Sequence, residues 1–163
     1  GKAFGARVLC WGRGASLAQA RLAGYEVAAS REEFFAESDI LTLHLPMVRE
    51  TRGIITRFDL ARMKPTALLV NTSRAKLIED GALVEALTAG RPGFAAVDVY
   101  EDEPIYNADH PLLKLDNAIC TPHLGFVTAE TYEIHYGLAV EQIVAYLAGK
   151  PIHVANPEVL QRR

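Results

Sequence analysis

Three side chains of this sequence could together act on a small carboxylic acid: Arg74, Glu103 and His123. The guanidinium group of an arginine can bind a planar carboxylate through two hydrogen bonds and polarise an adjacent carbonyl. An imidazole can donate or accept a proton near neutral pH, and a neighbouring carboxylate orients it and favours its protonated form. The combination suits reduction of a carbonyl beside a carboxylate, with transfer of a proton to its oxygen.

Each of these residues comes after a short apolar segment with the composition of a strand. Six such segments alternate with helix-patterned segments, at residues 7–11, 25–28, 40–45, 67–70, 94–97 and 117–120. This alternation predicts βαβ units and a doubly wound α/β fold with a parallel sheet. Most segments are apolar throughout, which indicates that helices cover both faces of the sheet. Ligands bind beyond the carboxyl ends of such strands, so the polar residues found there are candidate site residues.

The helices are predicted from their capping residues and apolar spacing. We expect Ser16 to cap a helix that runs to Arg21, and Asp80 to begin another. Ser30 and Glu33 have the spacing of a capping box at the start of a third helix. The longest pattern spans residues 129–147, after which Gly149 and Pro151 end it.

Composition excludes several classes of protein. The 163 residues suit one domain with a short extension, and the formal net charge of −3 argues against a general nucleic-acid binder. No apolar stretch approaches the ~20 residues needed to cross a bilayer, and the start lacks the apolar core of a signal peptide. Cys10 and Cys120 each lie in an apolar segment, so we expect them to be free, buried thiols in a reducing compartment and not a disulfide. We therefore expect a cytoplasmic protein with no membrane or nucleic-acid partner. No metal site is expected, because no pair of His or Cys residues has metal-ligand spacing.

Several motifs, taken in order, resemble the D-isomer-specific 2-hydroxyacid dehydrogenases, and most of all the members similar to D-3-phosphoglycerate dehydrogenase. The resemblance covers nearly the whole chain. The motifs are Leu43-His44-Leu45-Pro46, Glu50-Thr51-Arg52-Gly53, Met63-Lys64-Pro65, Asn71-Thr72-Ser73-Arg74, Asp98-Val99-Tyr100-Glu101-Asp102-Glu103-Pro104, Pro111-Leu112-Leu113 and Thr121-Pro122-His123-Leu124-Gly125. Each motif alone is weak, but the ordered set is specific.

The resemblance implies a Rossmann-type NAD(P)-binding domain and a hydride transfer between NAD(P) and a D-2-hydroxy acid or 2-keto acid, such as one similar to 3-phosphoglycerate. Arg74 would bind the substrate carboxylate and carbonyl, His123 would be the acid–base residue, and Glu103 would be its carboxylate partner. Residues near the cofactor would be Gly12, Arg13, Leu45, Pro46, Thr51, Thr72, Ser73, Arg74, Asp98, His123 and Gly125. The family's nucleotide-binding domains commonly pair, so a homodimer is expected.

The sequence departs from the family where the cofactor's pyrophosphate should bind. Such a site needs a glycine-rich turn at a helix N-terminus, and no G-x-G-x-x-G occurs in the chain. The chain therefore resembles a C-terminal piece without its first strand and glycine-rich loop. Residues 1–126 would be an incomplete dinucleotide-binding domain, and residues 127–163 a long helix and tail that return toward a substrate domain. We expect the isolated chain to bind NAD(P) weakly and to be inactive, whether it is part of a full-length enzyme or a truncated product.

Two further questions stay open at the level of sequence. Gly12 and Arg13 follow a strand where NAD enzymes carry an acidic residue, which favours NADP, although Arg13 stacked on adenine would suit NAD too. The same motifs also occur in corepressor-type proteins of this fold, so an NAD(H)-sensing regulator is an alternative to an enzyme. A truncated, non-catalytic domain is another alternative.

Overall fold

The structure, a computed structural model, describes residues 1–161. The chain divides into two compact units, Gly1–His123 and Leu124–Arg163, and Arg162 and Arg163 lie outside the described residues. The first unit contains all strands of the described residues and, with Arg74, Glu103 and His123, the three candidate catalytic residues. The second contains the long helix.

The first unit is an α/β fold in which every paired strand is parallel to its neighbour. Its elements are β1 (Leu9–Cys10), α1 (Gly14–Leu22), β2 (Glu26–Val27), α2 (Arg31–Glu37), β3 (Ile40–Thr42), α3 (Arg57–Leu60), β4 (Leu68–Asn71), α4 (Ala82–Thr88), β5 (Phe94–Val97) and β6 (Ala118–Cys120). β1 pairs with β2, and the other four strands form a second sheet in the order β3-β4-β5-β6. The predicted parallel α/β fold is confirmed, although the strands are shorter than predicted and form two sheets.

The hydrophobic core lies on one face of the four-stranded sheet. Alternate residues of β3, β4 and β5 point into it, among them Leu41, Leu69, Ala95 and Val97. They pack with Phe35, Leu60 and Leu87 from the helices and with Met63, which follows α3. On the opposite face, Ile40, Phe94 and Ile119 are 67%, 53% and 69% exposed. The prediction that both faces are covered is therefore wrong at these three positions of the described chain, because the helices that supply the core lie on a single side.

Local hydrogen bonding decides where the helices begin. At α2 the Ser30 hydroxyl accepts a hydrogen bond from the Glu33 amide at 3.1 Å, and the Glu33 carboxylate accepts one from the Ala29 amide. The predicted cap at Ser30 is thus confirmed, but the Glu33 carboxylate binds the Ala29 amide in place of the Ser30 amide that a capping box requires. The predicted cap at Ser16 is wrong: Arg13 has the extended backbone of an N-cap, and its carbonyl accepts from the Leu17 amide at 2.9 Å, so the helix begins earlier.

A charged pair joins α2 to α3. Arg31 donates from Nε and Nη2 to the two carboxylate oxygens of Asp59, at 2.7 and 2.6 Å. Asp59 is only 5% exposed and also accepts from the amide and the hydroxyl of Thr56. Burial by itself would raise the pKa of Asp59, but the bonds from Arg31 and Thr56 hold it below its ordinary value.

The second unit is built on one long helix, α5 (Ala129–Leu147), with the bounds that its pattern predicts. The Thr128 hydroxyl caps it by accepting from the Thr131 amide at 3.2 Å. None of its residues is buried, and its large apolar side chains are exposed. Within residues 1–161, no helix combines the length and apolar character that crossing a membrane requires.

Candidate active site

The segment after β4 presents Arg74 through a turn that Asn71 closes. Asn71 is buried; its Oδ1 accepts from the Ser73 amide at 3.1 Å, and its Nδ2 donates to the Arg74 carbonyl at 3.0 Å. Side chains of this type commonly replace backbone partners in turns. The Arg74 side chain is exposed, and Nη1 donates to the Ser73 carbonyl at 2.7 Å. The buried amide of Asn71 therefore determines where the guanidinium group leaves the sheet.

The loops after β3 and β4 are tied together by hydroxyl groups. Ser73 Oγ donates to the Leu45 carbonyl at 2.9 Å. Thr51 is buried, and its Oγ1 donates to the Pro46 carbonyl at 2.7 Å and accepts from the Val48 amide at 2.9 Å. These bonds hold Leu45 and Pro46 in place at the carboxyl edge of the sheet. A role for the Thr51 hydroxyl in holding this loop is visible in the structure, and its contact with a cofactor stays a prediction.

The segments after β5 and β6 bring Glu103 and His123 together. His123 Nδ1 lies 2.6 Å from Oε2 of Glu103, and Oε1 of Glu103 accepts from the Tyr100 amide at 2.7 Å. Because an ionised carboxylate can only accept, Nδ1 carries the proton in this bond. Nε2 is then the ring atom through which the imidazole can exchange a proton with a ligand. The side chains of His123 and Glu103 are 44% and 31% exposed, so a ligand can reach the pair.

Electrostatics keep Glu103 ionised. Its partial burial by itself would raise the pKa of the carboxyl group. The hydrogen bonds from His123 and the Tyr100 amide, together with the charges of His123 and Arg74, hold the pKa below its ordinary value. A carboxylate that stays charged in this position accepts the Nδ1 proton and orients the imidazole, so that Nε2 is available for proton exchange with a carbonyl oxygen.

Asp98 lies beside the same pair of segments. It is buried directly after β5, and its Oδ1 accepts from the Thr121 hydroxyl at 2.5 Å. The Thr121 carbonyl accepts from the Tyr100 hydroxyl at 3.0 Å. Sequence reasoning did not single out Asn71, Tyr100 or Thr121 as functional. Their only signal was membership of the motifs quoted above, since their hydrogen bonds depend on contacts between distant segments.

The other predicted cofactor residues are placed as follows. Thr72 is exposed in the turn before Arg74, and Gly12 and Arg13 connect β1 to α1, where Arg13 is exposed. Gly125 belongs to the second unit. Their contacts with a cofactor remain predictions. Within residues 1–161, no three His, Cys, Asp or Glu side chains are grouped so that they could hold a metal ion.

A cavity of about 530 Å³ adjoins the Glu103–His123 pair. Its wall combines both members of the pair with Tyr100, Cys120 and Thr121, and with apolar residues that include Pro104, Ile105 and Leu113. The described residues thus supply an imidazole–carboxylate pair at the border of a largely apolar space. Such a border suits chemistry on a small organic acid, because the low polarity nearby strengthens electrostatic contacts.

Comparison with known proteins identifies the family of the chain. Residues 1–125 match the family model described as the D-isomer specific 2-hydroxyacid dehydrogenase, NAD binding domain. A glyoxylate reductase from Aeropyrum pernix is 42% identical over 164 aligned residues, covering 100% of this chain and 48% of that protein. The chain therefore spans about half the length of this relative.

Two solved structures are similar in fold as well as sequence. An oxidoreductase from Ralstonia solanacearum, described as a D-3-phosphoglycerate dehydrogenase, has a TM-score of 0.86 and 52% identity, over 96% of this chain and 45% of that one. An acyclic imino acid reductase, Bsp5, solved with NADPH and D-Arg, has a TM-score of 0.70 and 31% identity, over 94% of this chain and 47% of that one.

Proposed function

The chain belongs to the D-isomer-specific 2-hydroxyacid dehydrogenases, and from this premise we propose that it carries the nucleotide-binding and acid–base part of an enzyme acting on D-2-hydroxy acids or 2-keto acids. The observation that carries the proposal is the 2.6 Å hydrogen bond between His123 Nδ1 and Glu103 Oε2. It lies on the same sheet edge as Arg74, because β4, β5 and β6 are parallel neighbours and all three residues follow their carboxyl ends.

Each residue of the site has a distinct task in this reaction. Arg74 binds the carboxylate of the acid and polarises the adjacent carbonyl. His123 gives its Nε2 proton to the carbonyl oxygen during reduction and takes it back during oxidation. Glu103 keeps the imidazole oriented by accepting the Nδ1 proton. The nicotinamide ring, when bound, supplies the hydride that the acid's carbon 2 receives.

The described residues fit the nicotinamide end of a dinucleotide better than its pyrophosphate. Asp98 places a buried carboxylate at the end of β5, beside the segment that carries His123, and can accept from a carboxamide. A glycine-rich turn of the G-x-G-x-x-G type is not found in the sequence. We expect the 163-residue chain alone to bind NAD(P) weakly for this reason, and to need the remainder of an enzyme for turnover.

Arg13 is the residue on which the choice between NADH and NADPH depends. It is exposed between β1 and α1, where a guanidinium group can meet a 2′-phosphate. A preference for NADPH is therefore proposed, and the NADPH complex of Bsp5 shows that one relative of this fold takes that cofactor. Arg13→Ala should weaken NADPH binding by about tenfold while changing NADH binding little. Equal losses for the two cofactors would contradict the preference.

The function is tested by following oxidation of NADH and NADPH with a panel of 2-keto acids. The assay uses the chain itself first. If the chain alone is inactive, a longer protein that contains it is assayed. Arg74→Lys should raise KM for the acid more than it lowers kcat, because a lysine cannot form the two parallel bonds. Arg62→Lys, at an exposed arginine that follows α3 and lies before β4 begins, is the control. A folded protein that binds dinucleotide but reduces no 2-keto acid would favour the NAD(H)-sensing alternative.

Glyoxylate and the keto acid that corresponds to 3-phosphoglycerate belong in the panel, because relatives carry those substrates in their names.

Homodimer formation and a cytoplasmic location are part of the same proposal. Sedimentation of the protein at several concentrations tests the first, and fractionation of cells tests the second. A species that sediments as a monomer at all concentrations would contradict pairing.

A further inference from the structure

The backbone of His123 adopts an unfavourable conformation. Its φ of 55° lies in the left-handed region, which residues with a Cβ atom rarely occupy. Outliers of this kind persist only where the surroundings hold them. The pairing of His123 with Glu103 therefore requires something that keeps the turn of residues 121–123 closed.

One carbonyl oxygen receives the bonds that close this turn. The oxygen of Thr121 accepts from the His123 amide at 3.0 Å and from the Tyr100 hydroxyl, also at 3.0 Å. The hydroxyl of Thr121 donates to Asp98 at 2.5 Å, so this residue is held from its side chain as well. Tyr100 and His123 thus meet at a single backbone atom.

Tyr100 is well placed to hold that atom. It is only 8% exposed, and its ring packs edge-on against His110 at a centroid distance of 5.1 Å. Its amide donates to Oε1 of Glu103 at 2.7 Å. Burial and the neighbouring Cys120, Asp98 and Glu103 raise the pKa of the Tyr100 hydroxyl, so the phenol remains a hydrogen-bond donor. One residue therefore contacts Glu103 through its backbone and the His123 turn through its side chain.

We propose that Tyr100 is a positioning residue of the acid–base pair, whose hydroxyl fixes the Thr121 carbonyl and so holds His123 in the left-handed turn that meets Glu103. The effect on catalysis rests on the function proposed above, whereas the effect on the geometry of the pair does not. Although Tyr100 also lines the cavity beside the pair, the proposed role of its hydroxyl is positional. It acts only through Thr121 and the Glu103 carboxylate.

The test replaces Tyr100 by phenylalanine, which keeps the ring and removes only the hydroxyl. Carbon-13 NMR of the 163-residue chain follows titration of the Glu103 carboxyl group, and proton NMR follows the Nδ1 proton of His123. Tyr100→Phe should raise the Glu103 pKa toward its ordinary value by about half a unit, because the bond from His123 is weakened. The Nδ1 proton resonance should broaden or disappear. Tyr106→Phe, at an exposed tyrosine of the same loop, should leave both signals as in the wild type.

A second variant separates the hydroxyl from the packing of the ring. Incorporating 4-aminophenylalanine at position 100 keeps a donor in the same place and should restore the Glu103 titration and the Nδ1 signal. It also serves if Tyr100→Phe does not fold, as judged by circular dichroism. Signals of Tyr100→Phe that match those of Tyr106→Phe would overturn the proposal. So would a folded 4-aminophenylalanine variant whose Glu103 pKa is raised by half a unit or more.

Turnover supplies the readout that depends on the proposed function. Where the wild-type protein reduces a 2-keto acid, Tyr100→Phe should lower kcat by about tenfold with little change in KM. The acid limb of the kcat profile should move to higher pH, since a raised Glu103 pKa delays its ionisation. A longer protein that contains the chain and binds dinucleotide but reduces no 2-keto acid would contradict the proposed function, and the NMR result alone would then decide on Tyr100.

Discussion

The Nδ1 atom of His123 lies 2.6 Å from Oε2 of Glu103, although the two residues are 20 positions apart in the chain. Their contact depends on the pairing of β5 with β6, in which Val97 lies opposite Cys120. Both residues follow these strands at the same sheet edge. The neighbouring Glu101 pairs with a different imidazole, at 2.9 Å from Nε2 of His110.

Replacing His123 by glutamine should remove the acid–base step and leave cofactor binding intact. We expect turnover to fall by about 10²–10⁴, which is the usual contribution of a positioned proton donor. Fluorescence titration with NADH should give nearly the wild-type affinity. His153→Gln, at an exposed histidine of the second unit, serves as the control. Near-normal turnover of His123→Gln would remove this residue from the mechanism.

The Glu103 carboxylate should make stability depend on pH in a definite direction. Its pKa is lower in the folded state than its ordinary value of 4.5, so its contribution is present above that value and is lost as the pH falls through the folded pKa. Glu103→Gln should therefore flatten the decline in the free energy of unfolding between about pH 5 and 3. Urea unfolding at several pH values measures this decline in the free energy of unfolding. An equal flattening in Asp102→Asn, an exposed neighbour, would contradict a specific role for Glu103.

The pair between Arg31 and Asp59 should contribute to the stability of the first unit. Arg31→Ala leaves the buried Asp59 carboxylate with only the bonds from Thr56, so the free energy of unfolding should fall by about 1–3 kcal/mol. Arg49→Ala, at an exposed arginine, should change it by less than about 0.5 kcal/mol. Urea unfolding at neutral pH compares the two variants. Equal midpoints for both would show that Thr56 alone satisfies Asp59.

Two glycines should respond to the same substitution in opposite ways. A Cβ atom on Gly93 would lie 1.8 Å from the Pro65 carbonyl oxygen, so Gly93→Ala must displace the backbone beside β4 and β5. It should lower the free energy of unfolding by more than about 2 kcal/mol.

Gly137 lies inside α5, and a Cβ atom there meets nothing within 4 Å. Gly137→Ala should stabilise this helix by about 0.5–1 kcal/mol, through its higher helix propensity. Thermal unfolding followed by circular dichroism measures both variants. A neutral Gly93→Ala would contradict the described packing of Gly93 against Pro65.

Much of the fold could be predicted from local patterns in the sequence. The parallel α/β class, the cap at Ser30 and the bounds of α5 follow from residue types a few positions apart. The Ser16 cap was wrong because a capping residue also needs extended backbone, and here Arg13 has it. The two-sheet arrangement and the exposed face with Phe94 could not be predicted, since strand composition does not show which segments lie beside each strand.

The candidate site divides in the same way. The order of motifs and the chemistry of Arg74, Glu103 and His123 are readable in the sequence by itself, because they depend on residue type and on position after a strand. Only the tertiary structure decided that the Tyr100 hydroxyl and the His123 amide share the Thr121 carbonyl. That arrangement requires the register of β5 against β6 and a left-handed turn at a residue other than glycine. Neither is set by local propensity, because both are maintained by contacts between segments distant in the chain.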